Sequence, residues 1–187
     1  MKNIYILLLS LFTVVGFSQK TLKVFNFSSK TVNINMIVTK PNAGTFPWYA
    51  STYTNNGTNT ISIAPGGSYI LTNTADLFKF PFLSTTSVPQ ITTWRKVNAP
   101  AAGSSNSTFT PVSSNVAWAL GGAQIFDYID FGVFNGTFYQ GGGKMGVIGQ
   151  YVTGPSLTSQ PQGNWKVTYV GMGSGNLIEY TVTFTNN

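Results

Sequence analysis

The segment that decides the fold is Leu177-Ile-Glu-Tyr-Thr-Val-Thr-Phe-Thr185. Its apolar residues alternate with Glu and Thr, so that one side of an extended chain is apolar and the other is polar and almost uncharged. A period of two is that of a half-buried β-strand, because successive side chains of a strand point to opposite faces. The preceding segment Trp165–Val170 is joined to it by a glycine-rich link and predicts the second strand of a β-hairpin.

Two more pairs of β-rich segments lie near the start of the chain. Thr21–Phe27 and Thr31–Val38 are separated by three residues, and Thr60–Ala64 and Ser68–Thr72 are separated by Pro-Gly-Gly. Both spacings predict hairpins, since Pro, Gly and Ser favour tight turns. In Thr31–Val38, alternate residues are apolar and are expected to share the core-facing side: Val32, Ile34, Met36 and Val38.

Four further segments of the sequence predict local structure. Ile91–Val97 is expected to form a strand, and Phe78, Phe80 and Phe82 are expected to cover the core. Gly141–Gly143 predicts a flexible hairpin tip, and Val116–Leu120 is the one segment after the first eighteen residues with the pattern of a short helix.

Composition agrees with an all-β chain. Charged residues make up 7% of the 187 residues, too few to cover the solvent faces of helices, while Thr, Ser and Asn fill the polar positions. Together with the spacing of the turns, this predicts a single-domain antiparallel β-sandwich or jelly-roll-like fold of about eight to ten strands.

The first eighteen residues have the features of an export signal. Lys2 precedes an apolar run that is too short to span a bilayer, and small residues follow it at Gly16 and Ser18. We therefore expect residues 1–18 to be removed and residues 19–187 to form one exported domain of bacterial type, periplasmic or extracellular. No later stretch is apolar enough for a transmembrane helix.

Several chemistries are excluded by composition. The chain has no His and no Cys, which removes Ser/His/Asp triads, Cys/His pairs, disulfides and the usual zinc sites. The formal net charge is +6, but the basic residues are scattered, so nucleic acid is not an expected partner. No cofactor is expected.

Carboxylates offer the remaining acid–base chemistry. Asp127 and Asp130 are the nearest acidic pair, and their spacing places them on opposite faces of a regular strand. Only a bulge or turn would bring them together, in which case they become weak candidates for a hard metal ion such as calcium. A carboxylate-dependent glycosidase is the enzymatic alternative.

Aromatic side chains are the leading binding candidates, because flat rings stack on sugar rings and their polar tips form hydrogen bonds. Trp48, Tyr49 and Tyr53 fall in a segment expected to be a long loop, and Trp94 is followed by Arg95, a combination suited to an anionic sugar. These five residues are the predicted ligand-binding set.

The leading hypothesis is an exported, non-enzymatic protein that binds a glycan or another cell-surface component. One alternative is a self-associating extracellular subunit or adhesin, because the threonine-rich face of Leu177–Thr185 suits pairing with another copy. A second alternative is a membrane-active β protein, in which the aromatic region from Trp118 to Tyr139 enters lipid.

Overall fold

Two β-sheets pack face to face in the computed structural model of the protein, which describes residues 19–43, 47–72, 80–82, 87–98, 107–111, 124–146, 164–174 and 177–187. This confirms the predicted all-β sandwich. The described part contains eleven strands: β1 Gln19–Asn26, β2 Thr31–Pro41, β3 Trp48–Thr54, β4 Ile61–Ile63, β5 Ser68–Thr72, β6 Ile91–Val97, β7 Ser107–Pro111, β8 Gln124–Asn135, β9 Phe138–Gly146, β10 Trp165–Ser174 and β11 Leu177–Asn186.

The strands divide into a four-stranded and a seven-stranded sheet. The four-stranded sheet has the order β10-β11-β1-β5, and the seven-stranded sheet has the order β7-β6-β3-β2-β8-β9, with β4 beside β2. The pairing of β1 with β11 is parallel, whereas the other described pairings are antiparallel. The first described strand and the last thus lie side by side in the middle of the smaller sheet.

The predicted hairpin at the end of the chain is confirmed, since β10 pairs with β11 along its whole length. The two hairpins predicted near the start are wrong. In both cases the short link carries the chain from one sheet to the other: β1 and β5 belong to the four-stranded sheet, while β2 and β4 belong to the seven-stranded sheet. A strand that is apolar on one side satisfies either arrangement, because both put that side in the core.

Two local predictions are also wrong. The segment expected to be an aromatic loop is the strand β3, which pairs with β2 and β6. Gly141–Gly143 is not a hairpin tip but lies inside β9, paired with residues 131–133 of β8. The tip lies at Gly136, where φ is +59° and glycine is favoured. The glycines of β9 thus permit close backbone approach between strands rather than a turn.

The main core lies between the two sheets. Phe131 of the seven-stranded sheet meets Trp165 and Phe184 of the four-stranded sheet, with ring centroids 5.9 and 4.9 Å apart and steep angles between the rings. Phe80 and Phe82 are buried against this core, as predicted. Edge-to-face ring packing of this kind fixes the two sheets relative to each other.

Other predictions fall outside the described residues, namely the export signal, the position of Phe78 and the helix at Val116–Leu120. Among the residues that the structure describes, no apolar helix of bilayer-spanning length occurs.

Candidate functional site

Two β-bulges decide which side chains reach the outer face of the seven-stranded sheet, the face turned away from the four-stranded sheet. The register between β2 and β8 slips after Ile34 and again after Val38, which leaves Asn35 and Asp127 as extra residues. A bulge reverses the alternation that follows it. As a result Ile37 joins the main core, while Met36 and Val38 join a separate cluster. The prediction that Met36 and Val38 face the same core as Ile34 is therefore wrong.

The bulge in β8 has the same effect. Phe126 and Ile129 both reach the main core, although they are three residues apart. Between them, Tyr128 faces outward and packs with Val38 and Ala50 of the second cluster, and Asp127 lies beside it. A regular strand would not place Phe126 and Ile129 on one face, so the extra residue is required to bring Asp127 and Tyr128 to the outer surface together.

The outer-face pocket is a cavity of about 150 Å³ lined by Val38, Trp48, Asp127 and Tyr128. Three strands supply these residues, namely β2, β3 and β8. Tyr128 is only 7% exposed, whereas Trp48 is half-buried and presents part of its ring to the solvent. The pocket thus combines one buried and one accessible aromatic side chain with a carboxylate.

Asp127 is buried beside Lys40, with Oδ1 3.3 Å from the lysine Nζ. Within the described part of the chain, this oxygen accepts no hydrogen bond of normal geometry. A buried carboxylate oxygen without a hydrogen bond is unusual, because desolvation of a charged group is costly. The pocket therefore contains an ion-paired carboxylate oxygen that can still accept a hydrogen bond from a ligand hydroxyl group.

Lysine side chains already lie beside the carboxylate and one aromatic ring of the pocket. Lys40 forms the ion pair with Asp127, and the Nζ atom of Lys144 lies 5.2 Å from the centroid of the Tyr128 ring, a cation–π distance. Burial raises the pKa of Tyr128, and the charges of Asp127 and Asp130 raise it further, so the phenol remains protonated at neutral pH.

The five predicted binding residues are distributed over different environments. Trp48 lines the outer-face pocket. Tyr49 and Trp94 are fully buried and both pack edge-on against Phe82, so neither ring is accessible to a ligand in this structure. Tyr53 is 53% exposed, and no contact places it at the pocket.

Arg95 lies on β6, where it pairs in register with Ala50 of the outer-face cluster. Its neighbour Trp94 points into the main core, so the two side chains lie on opposite faces of the strand. The predicted combination of Trp94 with Arg95 at one ligand is not formed. The predicted binding set also left out Tyr128, which lines the pocket, and Lys40, which pairs with Asp127, because the two bulges decide that these side chains reach the outer face.

Asp127 and Asp130 contact different partners. Asp127 pairs with Lys40, whereas Asp130 Oδ1 accepts a hydrogen bond of 3.0 Å from Asn35 Nδ2. Among the described residues, no group of three or more acidic, His or Cys side chains is placed to hold a metal ion. Glu179 lies in the other sheet and is bonded to Lys23 at 2.7 Å.

Comparisons of this chain with protein-family models, with curated proteins and with solved structures find no match. The chemistry of the outer-face pocket is therefore the basis for assigning a function.

Asp127 is expected to make stability depend on pH. Burial raises its pKa above the ordinary value of 3.8, and the Lys40 ammonium only partly opposes this shift. The folded protein therefore binds the proton more tightly than the unfolded chain. The resulting stabilisation is complete below the unfolded pKa and is lost as pH rises through the folded pKa, by about 1.4 kcal/mol for each pKa unit.

Urea unfolding of the wild type and of Asp127→Asn between about pH 3 and pH 8 measures this contribution. We expect the wild type to lose free energy of unfolding relative to the variant as pH rises, because asparagine cannot ionise. The half-exposed Asp130 provides the matched control, and Asp130→Asn is expected to keep the wild-type decline. A difference between wild type and Asp127→Asn that is the same at every pH contradicts the prediction.

Proposed function

We propose that the protein is an exported, non-enzymatic binding protein that holds a single sugar ring in the outer-face pocket. The observation that carries this proposal is the pairing of the half-buried Trp48 with the buried Asp127 carboxylate in one cavity, where Asp127 Oδ1 has the Lys40 ammonium 3.3 Å away but forms no hydrogen bond of normal geometry within the described residues. An indole face stacks on the C–H groups of a sugar, while a carboxylate accepts hydrogen bonds from its hydroxyl groups.

The size of the pocket supports a small ligand. A cavity of about 150 Å³ holds one six-membered ring such as benzene, whereas pockets for larger organic ligands measure roughly 300–1,000 Å³. The ligand is therefore a monosaccharide or one terminal residue of a glycan, with the rest of the chain outside the cavity.

The charges around the pocket support a neutral ligand over a cationic one. An ammonium ligand would need the Asp127 carboxylate and the Tyr128 ring, and lysine side chains already take both positions. A purely apolar ligand would leave the buried Asp127 carboxylate with the Lys40 ion pair but without a hydrogen bond of normal geometry within the described residues. A polyhydroxylated ring satisfies both conditions.

Two further properties support a binding role without catalysis. The chain has no His or Cys, the residues most often used as general bases and activated nucleophiles. Glu179, the third described carboxylate, lies in the sheet that does not carry the pocket and is paired with Lys23.

Replacing Trp48 by alanine is expected to weaken sugar binding by about tenfold or more, because loss of a stacking ring removes roughly 1–3 kcal/mol. The measurement is a glycan-array screen of the purified protein, followed by calorimetric titration with the sugar that terminates the bound glycans.

Tyr53→Ala is the matched control, since Tyr53 is an exposed ring on the same strand but does not line the pocket. It should keep the wild-type affinity. An empty array, or equal binding by wild type and Trp48→Ala, rejects the proposal. Loss of binding in Tyr53→Ala alone would instead move the site to the other end of β3.

A further inference from the structure

The outer face of the β8–β9 hairpin continues the surface that carries the outer-face pocket. Tyr128 of β8 lines the pocket, and further along the same strand Ile129, Phe131 and Val133 face the main core. Because successive side chains of a strand point to opposite faces, the residues between and after these three face outward with their partners on β9. We call this surface the β8–β9 platform and define it by six residues: Asp130, Gly132, Phe134, Tyr139, Gly142 and Lys144.

The Tyr139 side chain lies over the two glycines of the platform. A Cβ atom on Gly132 would come within 3.3 Å of the Tyr139 ring carbon Cε2, and one on Gly142 would come within 2.8 Å of the Tyr139 hydroxyl oxygen. The ring also packs against Phe134, with the centroids 5.4 Å apart, yet Tyr139 remains 62% exposed. The glycines thus let Tyr139 lie against the sheet with ring surface open to the solvent, which suits stacking on a sugar.

Two charged side chains lie between Tyr139 and the pocket. Asp130 and Lys144 pair in register across the two strands, and both are half-buried. Asp130 accepts the hydrogen bond from Asn35, and Lys144 Nζ lies beside the Tyr128 ring. A carboxylate accepts hydrogen bonds from sugar hydroxyl groups and an ammonium group donates to them, whereas an apolar ligand would desolvate both charges. The stretch between the two rings therefore favours a polyhydroxylated ligand.

The spacing of the two rings sets the length of the ligand. Gly132, which lies beneath Tyr139, is four residues along β8 from Tyr128, a distance of about 13 Å. One sugar residue is shorter than this distance, and the pocket holds one ring. We propose that the pocket and the β8–β9 platform together bind an oligosaccharide, with its terminal residue in the pocket and a later residue stacked on Tyr139. This inference rests on the proposed function, because the chain starts from the sugar in the pocket.

Calorimetric titration with sugars of increasing length tests the inference. The probes are methyl glycosides of one, two, three and four residues that end in the sugar selected by the glycan array. We expect the wild type to bind the longest probe about tenfold more tightly than the monosaccharide. Tyr139→Ala should lose most of this gain and keep the monosaccharide affinity, because stacking on one ring contributes about this factor.

Three further variants show that the gain comes from the Tyr139 ring. Tyr139→Phe keeps the ring and should keep the gain, whereas Trp48→Ala should weaken the binding of every probe. Phe27→Ala is the matched control, because Phe27 is also an exposed ring supported by a neighbouring one, Phe25, but that neighbour belongs to the four-stranded sheet. This variant should bind each probe like the wild type.

The outcomes separate this inference from the proposed function. Equal affinity of the wild type for all four probes, or a gain with length that Tyr139→Ala retains, overturns the inference and leaves the pocket as a site for one sugar residue. Absence of binding to every probe rejects the proposed function and the inference with it. Circular dichroism verifies that each variant is folded, so that a lost gain reports on the ring.

Discussion

Replacing Gly146 by alanine is expected to lower the free energy of unfolding by about 3 kcal/mol or more, at the upper end of overpacking effects. Gly146 pairs with Tyr128 across the β8–β9 ladder. A Cβ atom at this position would overlap the carbonyl oxygen of Asp127 and come within 2.5 Å of the Tyr128 Cα. Both are backbone atoms of the bulge, so no side-chain rotation relieves the overlap and β9 must move away from β8.

The same variant should also affect the outer-face pocket, because the bulge it displaces supplies Asp127 and Tyr128. We expect sugar binding to be lost together with stability, whereas Trp48→Ala should lose binding alone. Urea unfolding and calorimetric titration of the two variants distinguish these effects.

Gly171→Ala provides the matched control for a glycine within a strand. Its Cβ would approach Tyr169 Oη at 2.7 Å, but that atom is the end of a rotatable side chain. The expected change is below about 1 kcal/mol, as for most surface substitutions. Equal stability of Gly146→Ala and the wild type would mean that β8 does not bulge at Asp127.

The fold class could be predicted from the sequence because it depends on patterns that do not require the exact register. Alternation in Leu177–Thr185 and the scarcity of charge indicate strands whatever the order in which they pair. The hairpin of β10 and β11 was predictable for the same reason, since its two strands are adjacent in the chain and pair with each other.

The assignment of strands to sheets could not be predicted. A link of a few residues can close a hairpin or cross to the opposite sheet, and the flanking alternation is identical in the two cases. Ser28, Ser29 and Lys30 after Phe27 indicate a turn. They do not indicate whether the next strand pairs with β1 or belongs to the opposite sheet. The crossing to the other sheet is stabilised by the hydrogen bonds of Asn26. These bonds depend on the folded positions of β4 and of the link, so the sequence does not indicate them.

The candidate site was predicted only in part. Trp48 was included because a flat ring can stack on a sugar and because its segment was expected to be a loop; Trp48 lies in β3 instead, and it still lines the pocket. Tyr49 was included only because the segment was expected to be a loop; in β3 it alternates into the core. Asp127 was noticed as an acid, but its position beside Trp48 depends on a one-residue bulge. The sequence of β8 carries no distinct signal of this bulge, because apolar residues stand on both sides of Asp127.

Asn26→Ala is the second substitution expected to have a large effect, lowering the free energy of unfolding by about 3 kcal/mol or more. The Asn26 side chain is fully buried between the two segments that connect one sheet to the other. The amide Nδ2 donates to three carbonyl oxygens, those of Lys30, Ile63 and Ala64, at 2.7 to 3.1 Å. Each buried partner that loses its hydrogen bond costs about 1–3 kcal/mol.

The Oδ1 atom of Asn26 completes the network. It accepts hydrogen bonds from the Ser28 hydroxyl group at 2.6 Å and from the Ser28 amide at 3.2 Å. A single side chain thus fixes both sheet-to-sheet links, the one after β1 and the one after β4. Asn42, which is exposed after the end of β2, is the matched control, and Asn42→Ala should change stability by less than about 0.5 kcal/mol.

Asn26→Asp tests whether the donor group is the decisive part of this side chain. Aspartate has the same shape and keeps the acceptor for Ser28, but it replaces the Nδ2 donor by an oxygen that faces three carbonyl oxygens. We expect it to destabilise the protein at neutral pH at least as much as alanine does, and to recover part of the loss at acid pH, where a protonated carboxyl group again donates one hydrogen bond. Stability of Asn26→Asp equal to that of the wild type at neutral pH would show that the two links are held by packing alone.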